Sequence, residues 1–416
     1  MTAPAHTPAA ELASKLEATL REVCERLAPL DRTPCSPGER EAAVWIGRRL
    51  GRAGASEVAL EDEPSWGTFP PTALAMGALG ALGAAMVLAG RRYTGALMGL
   101  ASLAGVLDEA ENGPRLVRRA LRRRRSTVNV TAHAGERDAE RTLIVLAHHD
   151  AAQTGRIFDQ GLQHAIDSRF PGMLRRVKHQ PPQWWIGAAA PVFAIAATVS
   201  GRRRLALGGV VFGALACAVI ADIMRSPTVP GANDNLSGVA VLVALAELLR
   251  ERPPAGLRVL LVSAGAEETL QDGIRAWVVR HRGELDPGAT WILNLDTVGS
   301  PRLIMLEAEG PFLMRPYTDP SFRDLVERCA RAEGIALERG FKARSSTDSV
   351  ITSRAGYPSA CLVSLNEWQM MSNYHLMSDL PDNLDYGTIA QATRLAHSLA
   401  RALAMPAGSG ESQSAS

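Results

Sequence analysis

The sequence is poor in cysteine, and its few cysteines form no recognisable pattern. None forms a Cys-x-x-Cys pair and none lies in a motif with a histidine; they are Cys24, Cys35, Cys217, Cys329 and Cys361. An odd number of scattered cysteines argues against a disulfide framework and against cysteine catalysis, and it fits a reducing compartment. Residues 1–11 also lack the basic region and the apolar core of a secretory signal peptide, so none is predicted there.

A large excess of charge of one sign is also absent. Charged residues make up 21% of the 416-residue chain and the formal net charge is +2, which argues against a nucleic-acid-binding protein. Basic residues are nevertheless concentrated in two stretches, Arg115, Arg118, Arg119 and Arg122 to Arg125, then Arg169, Arg175, Arg176 and Lys178. Because no aromatic residues are interleaved with the first stretch, we expect this face to lie near anionic lipid rather than nucleic acid.

Most of the remaining sequence alternates between short strand-like runs and helical patterns. Strands are predicted at residues 57–60, 127–132, 142–147, 257–263, 290–295 and 360–364. Helices are predicted at residues 8–29, 36–50, 237–250, 270–281, 320–332 and 386–404. Such alternation predicts an α/β fold with a mixed, mainly parallel sheet flanked by helices. The Gly/Ser-rich residues 406–416 are predicted to be a disordered tail.

Five polar motifs lie at the ends of predicted strands or in loops, and they carry the residue types that bind zinc. They are His148-His149-Asp150, the stretch Pro230–Gly238 with Asp234, Glu267-Glu268, Asn294-Leu295-Asp296 and Tyr374-His375. The carboxyl ends of strands are where an α/β sheet gathers catalytic groups. A zinc ion takes about four nitrogen or oxygen ligands with room left for water. If five side chains serve two ions, one aspartate must be shared.

Each motif also has an explanation without a metal. Asn-Asp-Asn is usually a turn, and Glu-Glu before a helix usually stabilises its first turn. Only their joint occurrence, in this order, predicts a dinuclear metal centre. His149 is instead expected to pack or to face solvent.

The order of these residues resembles that of the M28 family of zinc peptidases, whose best-known members are aminopeptidases. The resemblance covers roughly residues 8–66, 126–150 and 230–403. It implies that one zinc ion is bound by His148 and Asp296, that the other is bound by Glu268 and His375, and that Asp234 bridges the two. It also implies a zinc-exopeptidase-like fold.

The same resemblance implies roles for three residues that do not bind zinc. Glu267 matches the general base, Tyr374 the phenol beside the last histidine, and Asp150 the carboxylate that orients His148. Two features depart from the family pattern. Asp348 lies in Ser346–Ser349 where the family often has Ser-Asp-His, which leaves its role open. Some 80 residues separate Asp150 from Asp234, where a short loop is usual.

Four apolar segments form two pairs, and arginines separate the members of each pair; the only charged residue within them is Asp222, near the end of the fourth. They comprise residues 71–90 and 93–107, then 184–200 and 205–223. At 1.5 Å per residue they cover roughly 23–30 Å, close to the thickness of a bilayer, and the second is the shortest. Small residues at Gly95, Gly99, Gly209 and Gly213 favour close helix contact in lipid. The alternative is that these helices are buried in a soluble core or an oligomer interface.

The metal centre itself favours the membrane interpretation. His148 and Asp234 must meet at the same ions, so the residues between them must return to their starting side, as a two-span hairpin does. Basic residues are more numerous at the hydrolase ends of the spans than at the tips, where Arg91, Arg92 and Arg202 to Arg204 lie. The positive-inside rule therefore places the catalytic part in the cytoplasm.

The sequence thus predicts a peptidase domain interrupted by two inserted transmembrane hairpins. The peptidase parts are residues 1–70, 108–183 and 225–405, and the hairpins are residues 71–107 and 184–224. The predicted function is that of a four-span membrane aminopeptidase with two zinc ions, a peptide substrate and no nucleic-acid partner. The alternatives are a carboxypeptidase-like or glutaminyl-cyclase-like enzyme on the same scaffold, or a non-catalytic membrane scaffold. The oligomeric state and the preferred N-terminal residue stay open.

Overall fold

The computed structural model describes residues 8–404, so the predicted disordered tail lies outside the described residues. Within them, nine strands form one sheet: β1 (Ser56–Ser65), β2 (Arg125–Gly135), β3 (Thr142–His148), β4 (Arg258–Ala264), β5 (Thr290–Leu295), β6 (Arg302–Glu309), β7 (Arg315–Pro316), β8 (Glu338–Ala343) and β9 (Ser359–Leu365). Their order is β1-β2-β4-β3-β5-β9-β6-β7, and β8 pairs with β6. The central strands β4, β3, β5 and β9 are parallel, whereas β1 and β2 are antiparallel.

Thirteen α-helices accompany these strands in the described part of the chain. They are α1 (Pro8–Leu27), α2 (Pro37–Ala53), α3 (Pro70–Leu88), α4 (Arg92–Ala110), α5 (Leu116–Leu121), α6 (Gly161–Arg169), α7 (Trp185–Ser200), α8 (Arg203–Arg225), α9 (Ser237–Glu251), α10 (Asp272–His281), α11 (Pro320–Ala332), α12 (Asp348–Arg354) and α13 (Tyr386–Ala404). Helices α1, α2, α9, α11 and α13 cover one face of the sheet, and α10 and α12 pack on the other.

Strand β3 shows why the sheet needs helices on both faces. Leu143 and Val145 belong to the core beneath α9, while Ile144 and Leu146 pack with Trp277 of α10. All seven residues of the strand are buried, as expected for a central parallel strand. The predicted fold class, a mixed and mainly parallel sheet between helices, is therefore confirmed.

Most of the predicted elements are present, and the main difference concerns the residues after β4. The helix expected from residue 270 begins only at Asp272, because Ala266, Leu270 and Gln271 have left-handed backbone conformations with φ of 50°, 66° and 67°. A single 3₁₀ turn, Glu267–Thr269, precedes the left-handed residues Leu270 and Gln271 and the helix. The backbone is thus shaped around the Glu-Glu pair. The prediction also missed β6, β7 and β8.

Both insertions leave the α/β domain at points where its backbone segments are hydrogen-bonded to each other. The first lies at the tip of the β1–β2 hairpin, whose last register pair joins Ser65 to Arg125. At the second, the backbone N–H of Thr154 donates to the carbonyl of Pro227 (3.0 Å), and that of Val229 donates to Ala152 (2.9 Å). Each insertion therefore starts and ends at one place on the α/β domain.

A buried arginine, Arg32, holds the two ends of the second insertion together. Its Nε donates to the carbonyl of His149 (2.9 Å), and its Nη2 donates to those of Pro230 (2.9 Å) and Gly231 (3.1 Å). A fourth hydrogen bond, from Nη1, reaches the carbonyl of Leu27 (2.7 Å). Burial lowers the pKa of Arg32 to about 10, so the side chain stays charged at neutral pH.

We expect Arg32→Met to destabilise the protein by roughly 3 kcal/mol or more, because four buried carbonyl oxygens lose a charged donor. Unfolding of the purified protein by heat or denaturant measures the change. The matched control is Arg48→Met, which removes an exposed arginine of α2 and should cost less than about 0.5 kcal/mol. Equal effects of the two substitutions would contradict the proposal that Arg32 holds the two ends of the second insertion together.

Helices α3, α4, α7 and α8 pack together as a bundle with small residues inside. A Cβ added to Gly95 would lie 2.4 Å from the carbonyl oxygen of Gly83, and one added to Gly213 would lie 2.6 Å from the Cβ of Ala81. The outer faces carry large apolar side chains that are exposed, among them Leu82, Leu97, Leu100, Val192, Leu207, Val211 and Leu215. Small residues inside and large apolar residues outside are typical of helices packed in lipid.

Three helical segments in the described part of the chain are long and apolar enough to cross a membrane: Pro70–Leu88, Arg203–Arg225 and Ala232–Glu251. In the third, 89% of the most apolar 18-residue window is buried; this segment contains α9, which belongs to the core of the α/β domain, so it does not face lipid. Of the four predicted spans, α3 and α8 therefore meet this criterion. Helix α7 is shorter, with 16 residues, and α4 carries two carboxylates near its end.

The lipid-facing prediction for the basic stretch is wrong at two positions. Arg115 and Arg118 are buried; Arg115 is paired with Asp272, and Arg118 is paired with Glu109. Arg118 also donates to the carbonyl of Thr269 (2.5 Å). A buried guanidinium requires such partners. These two arginines join the end of α4 to the residues that follow the Glu-Glu turn, while the exposed arginines of the stretch, such as those at 123–125, remain at the surface.

Candidate metal centre

The candidate metal-binding residues lie at one edge of the sheet. Strand β3 ends with His148, β4 leads into Glu267–Glu268, and β5 is followed directly by Asp296. Asp234 lies just before α9, and His375 lies in the loop after β9. Adjacent parallel strands are about 4.8 Å apart, so the ends of β4, β3 and β5 bring their side chains together. The edge is the one expected for an α/β site.

These side chains form two overlapping groups of possible ligands. The ligand atoms of His148, Asp234 and Asp296 all lie within 4.8 Å of one another, and so do those of Asp234, Glu268 and His375. The Nε2 atom of His148 is 3.2 Å from Oδ1 of Asp234, and that of His375 is 3.1 Å from Oδ2. Its two oxygens face different histidines, so Asp234 belongs to both groups.

The backbone around Asp234 is fixed by its neighbours. The carboxylate of Asp379, which is fully buried, accepts hydrogen bonds from the backbone N–H groups of Asn233 (2.7 Å) and Asp234 (3.1 Å). The side chain of Asn235 accepts from the N–H of Thr297 (3.0 Å), next to Asp296. The Asn-Asp-Asn motif therefore connects two candidate ligands rather than forming only a turn.

Asp150 holds the Glu-Glu turn through its backbone. Its two carboxylate oxygens accept from the N–H groups of Glu267 and Glu268, both at 3.0 Å. Its distance to Nδ1 of His148 is longer, 3.5 Å. Asp150 thus lies between the first histidine and the proposed base, and its closest contacts are to the turn. Glu39 supports the same turn by accepting from the N–H of Ala266 (2.8 Å).

The proposed base, Glu267, is oriented by a neighbouring amide. Nε2 of Gln271 donates to Oε1 of Glu267 (2.6 Å) and to the carbonyl of Ser346 (2.9 Å). Both Glu267 and Gln271 are buried. The left-handed backbone of Gln271 brings its side chain back towards the turn. Gln271 is therefore a positioning residue for the proposed base.

We expect Gln271→Leu to lower kcat by roughly tenfold without removing metal, because Glu267 loses the donor that orients it. Steady-state kinetics and metal analysis of the same preparations measure both quantities. Gln391→Leu, a substitution on α13, is the control and should leave kcat unchanged. A loss of metal in Gln271→Leu would instead indicate that the site itself collapses.

The charge of the site fits bound cations. Burial, opposed by the nearby carboxylates of Glu268 and Asp234, leaves the pKa of His375 raised to about 10. Burial together with the charge of Asp234 raises the pKa of Asp296 to about 6, and burial raises that of Glu267 well above its usual value. The raised pKa values of the carboxylates indicate that the buried site needs positive charge. Protons on the histidines supply that charge here, and bound metal ions would take their place. Nitrogen and carboxylate donors without thiolates suit zinc.

Two aromatic residues line the centre. Tyr374 stacks on His375, with ring centroids 3.9 Å apart, and Phe158 lies edge-on to His375 at 4.5 Å. Burial raises the pKa of Tyr374 well above its usual value, so its hydroxyl keeps its proton as a hydrogen-bond donor. Phe158 follows the first candidate ligand in sequence and belongs to a turn that packs on the end of α8, since Asp222 accepts from the N–H of Arg156 (2.8 Å).

Two residues near the centre had no firm role from the sequence. His149 is buried and hydrogen-bonded to Ser263 (2.9 Å), and burial lowers its pKa to about 4, so it packs as a neutral side chain. Asp348 is also buried, and neither of its carboxylate oxygens has a hydrogen-bond partner among the described residues. Burial raises its pKa well above its usual value.

Sequence reasoning missed several residues that support the centre. Arg32 and Gln271 gave no signal, because an isolated Arg or Gln carries no motif. Asp379 lies four residues after His375, and that spacing could have drawn attention to it. Glu39 also supports the centre: Ser36 caps α2 by accepting from the N–H of Glu39, and the carboxylate of Glu39 accepts from the N–H of Ala266.

The three-layer architecture, with histidines and carboxylates at the carboxyl ends of parallel strands, defines a zinc-exopeptidase-like fold. The sequence model of peptidase family M28 matches residues 219–400. These residues are accordingly an M28 peptidase domain, and they include Asp234, Glu267, Glu268, Asp296 and His375. His148 and Asp150 precede the matched range. No curated protein sequence matches the chain significantly.

Solved structures share this fold at low sequence identity. LapB from Legionella pneumophila superimposes with a TM-score of 0.55 at 11% identity, covering 95% of this chain and 74% of LapB. A glutaminyl cyclase from Tannerella forsythia superimposes with a TM-score of 0.55 at 14% identity, covering 92% of this chain and 98% of the cyclase. A Zn-dependent exopeptidase from Parabacteroides distasonis superimposes with a TM-score of 0.53 at 13% identity, covering 92% of this chain and 97% of the exopeptidase. At these identities the likeness shows the fold alone, and both aminopeptidases and cyclases are among the similar structures.

Proposed function

We propose that the chain is a membrane-anchored peptidase with two zinc ions, acting as an aminopeptidase. The observation that carries this proposal is the pair of ligand groups that share Asp234, directly beside the buried Glu267. We assign His148 and Asp296 to one ion and Glu268 and His375 to the other. The family match of residues 219–400 supports a hydrolase of this class.

The residues around the centre suit hydrolysis of a peptide bond. Bound zinc would supply Lewis acidity and lower the pKa of water to about 7. Glu267 takes a proton from the attacking water and delivers it to the leaving amine. Tyr374 donates a hydrogen bond to the oxygen of the scissile carbonyl as negative charge develops there. Asp150 and Gln271 keep the Glu267 turn in place.

A panel of aminoacyl-coumarin substrates tests the activity. We expect release of coumarin by the metal-loaded protein, its loss after treatment with a chelator, and its recovery when zinc is added back. Zinc content should approach two per chain. Absence of metal-dependent release from every member of the panel, with zinc bound, would refute the aminopeptidase assignment.

A glutaminyl-cyclase-like reaction is the second candidate, since a cyclase gives a TM-score of 0.55 to this chain. The first ligand group, His148, Asp234 and Asp296, favours two ions and therefore hydrolysis. Incubation with an N-terminal glutaminyl peptide separates the reactions by mass. Release of free glutamine supports the peptidase, whereas loss of ammonia from the intact peptide supports the cyclase.

The membrane anchor is the bundle of α3, α4, α7 and α8. Two of these helices are long and apolar enough to span a bilayer, and the outer surface of the bundle carries exposed apolar side chains such as Leu97 and Val211. Water would not favour such a surface. The excess of basic residues at the hydrolase end supports a cytoplasmic catalytic part.

Membrane fractionation combined with protease protection tests both parts of this proposal. The protein should sediment with membranes, resist extraction by high salt and dissolve in detergent. In sealed right-side-out cells the hydrolase should be protected from added protease. Recovery in the soluble fraction would contradict the proposed membrane anchor. Digestion of the hydrolase in intact cells would indicate the opposite orientation.

A further inference from the structure

The catalytic centre and the helical bundle share one cavity. A cavity of about 170 Å³ is lined at one end by Glu267, Glu268 and His375. Its other walls come from the bundle and include Ala73 and Gly77 of α3 and Val219 of α8. The space that receives a substrate therefore continues from the hydrolase into the apolar helices.

The helical part of this cavity lies at the hydrolase end of the bundle and has considerable depth. On α8 the lining residues run from Ala216 to Ile223, near the end of the helix. At 1.5 Å per residue these seven steps correspond to about 10 Å along the helix. An extended chain of roughly eight carbons has that length. The cavity can thus receive a group longer than an ordinary side chain.

The walls of the deep part are apolar. Met76, Val219 and Ile220 line it together with small residues of α3 and α8. The one charged group that the helices add is Glu109, which is already paired with Arg118. Gln271 and the hydroxyls at 345–346 belong to the hydrolase end, and the bundle adds only two uncharged polar lining residues besides Trp184: Thr72 in the first turn of α3 and Gln183 just before α7.

This distribution distinguishes a hydrocarbon chain from a peptide segment. A peptide backbone carries an N–H and a C=O at every residue, and each would be buried against apolar walls without a partner. A hydrocarbon chain brings no such groups, and its burial is favourable by about 0.8 kcal/mol per methylene. The chemistry of the walls therefore favours a hydrocarbon occupant.

We propose that the substrate of this centre is an amphiphilic amide, with its scissile bond beside Glu267 and a long hydrocarbon chain between α3 and α8. The proposal rests on the hydrolytic function proposed above and adds the class of substrate. The chain is attached either to the acyl side of the amide, as in a fatty-acyl amino acid, or to the amine side, as in an aminoacyl alkylamide. In both cases water adds to the carbonyl carbon, the C–N bond breaks, and a carboxylic acid and an amine are released.

Two substrate series of increasing length test the proposal and identify the side that carries the chain. One consists of N-acyl amino acids and the other of leucine n-alkylamides, each with chains of about two to about ten carbons, used below their critical micelle concentrations. In one series kcat/KM should rise about threefold to fourfold per methylene and level off near the depth of the cavity. Leucyl-coumarin is assayed in parallel.

The outcomes separate this proposal from the proposed function. If leucyl-coumarin is hydrolysed in a metal-dependent manner but neither series depends on chain length, the amphiphile proposal is wrong and the peptidase stands. The same conclusion follows if only peptides with apolar sequences are preferred. If no amide is hydrolysed, including leucyl-coumarin, the hydrolytic function fails and the substrate class with it.

Substitutions in the bundle provide a second test. Val219→Trp, which fills the cavity from α8, should lower the ratio of kcat/KM for the longest substrate to that for leucyl-coumarin by about tenfold or more. Val211→Trp is the matched control, because Val211 is a valine of the same helix that is 56% exposed on its outer face; it should leave the ratio unchanged. If Val219→Trp does not fold, Ala73→Trp fills the cavity from α3. Equal ratios in cavity and control variants would overturn the proposal.

Discussion

Exchanging Glu267 for glutamine is expected to lower kcat by about a thousandfold while zinc content stays near two per chain. The amide has nearly the same size and can keep the contact with Gln271, but it cannot accept the proton of the attacking water. The backbone N–H of residue 267 still donates to Asp150 (3.0 Å), so the turn keeps its shape. Kinetics on an aminoacyl-coumarin and metal analysis of the same sample measure the two effects.

The control for this experiment is Glu140→Gln, which neutralises an exposed glutamate before β3. It should match the unsubstituted chain in both activity and zinc. Unchanged activity in Glu267→Gln would remove this residue from the mechanism. Loss of zinc would show instead that Glu267 contributes to binding, and the assignment of Glu268 as the ligand would then need revision.

Replacing the shared carboxylate is the second substitution with a large expected effect. In Asp234→Asn one of the two oxygens that face His148 and His375 becomes an amide nitrogen, which cannot bind a cation. Because Asp234 belongs to both ligand groups, we expect zinc content to fall below one per chain. Activity should fall to about one-thousandth or less, since it depends on the metal.

Asp138→Asn is the matched control, because Asp138 is exposed in the turn between β2 and β3. Circular dichroism of both variants reports whether the fold persists. Retention of two zinc ions by folded Asp234→Asn would contradict the bridging role of Asp234. It would indicate that another residue is the shared ligand. Substitution of His148 alone should be milder, because it belongs to one group only.

The regular elements were largely predictable from local pattern. Strand β5 was expected at residues 290–295 and is found there, and α13 was expected at residues 386–404 and is found there. Apolar runs of strand length and amphipathic periods of helical length depend on nearby residues alone. The strands at residues 302–309 and 338–343 were missed because their sequences mix charged and apolar residues.

The candidate ligands were identified from the types and order of residues, and the structure brings all five together. Their assignment to two ions stays a prediction until metal is measured. The pattern could not predict which residues support the candidate ligands. Arg32 donates hydrogen bonds to the carbonyls of residues 149 and 230–231. Asp379 accepts hydrogen bonds from the backbone before α9. Such contacts join positions far apart in sequence, and no local signal records them.

The sequence by itself determined that this chain forms an M28-like α/β hydrolase with apolar insertions, because strand patterns, helix patterns and ligand types are local properties. Only the tertiary structure decided that Arg115 and Arg118 are buried ion-pair partners, and that the bundle lines the cavity beside Glu267. Composition is the same for a helix in lipid and a helix in a protein core. The surroundings of the two kinds of helix differ, and they are determined by residues that are distant in the chain.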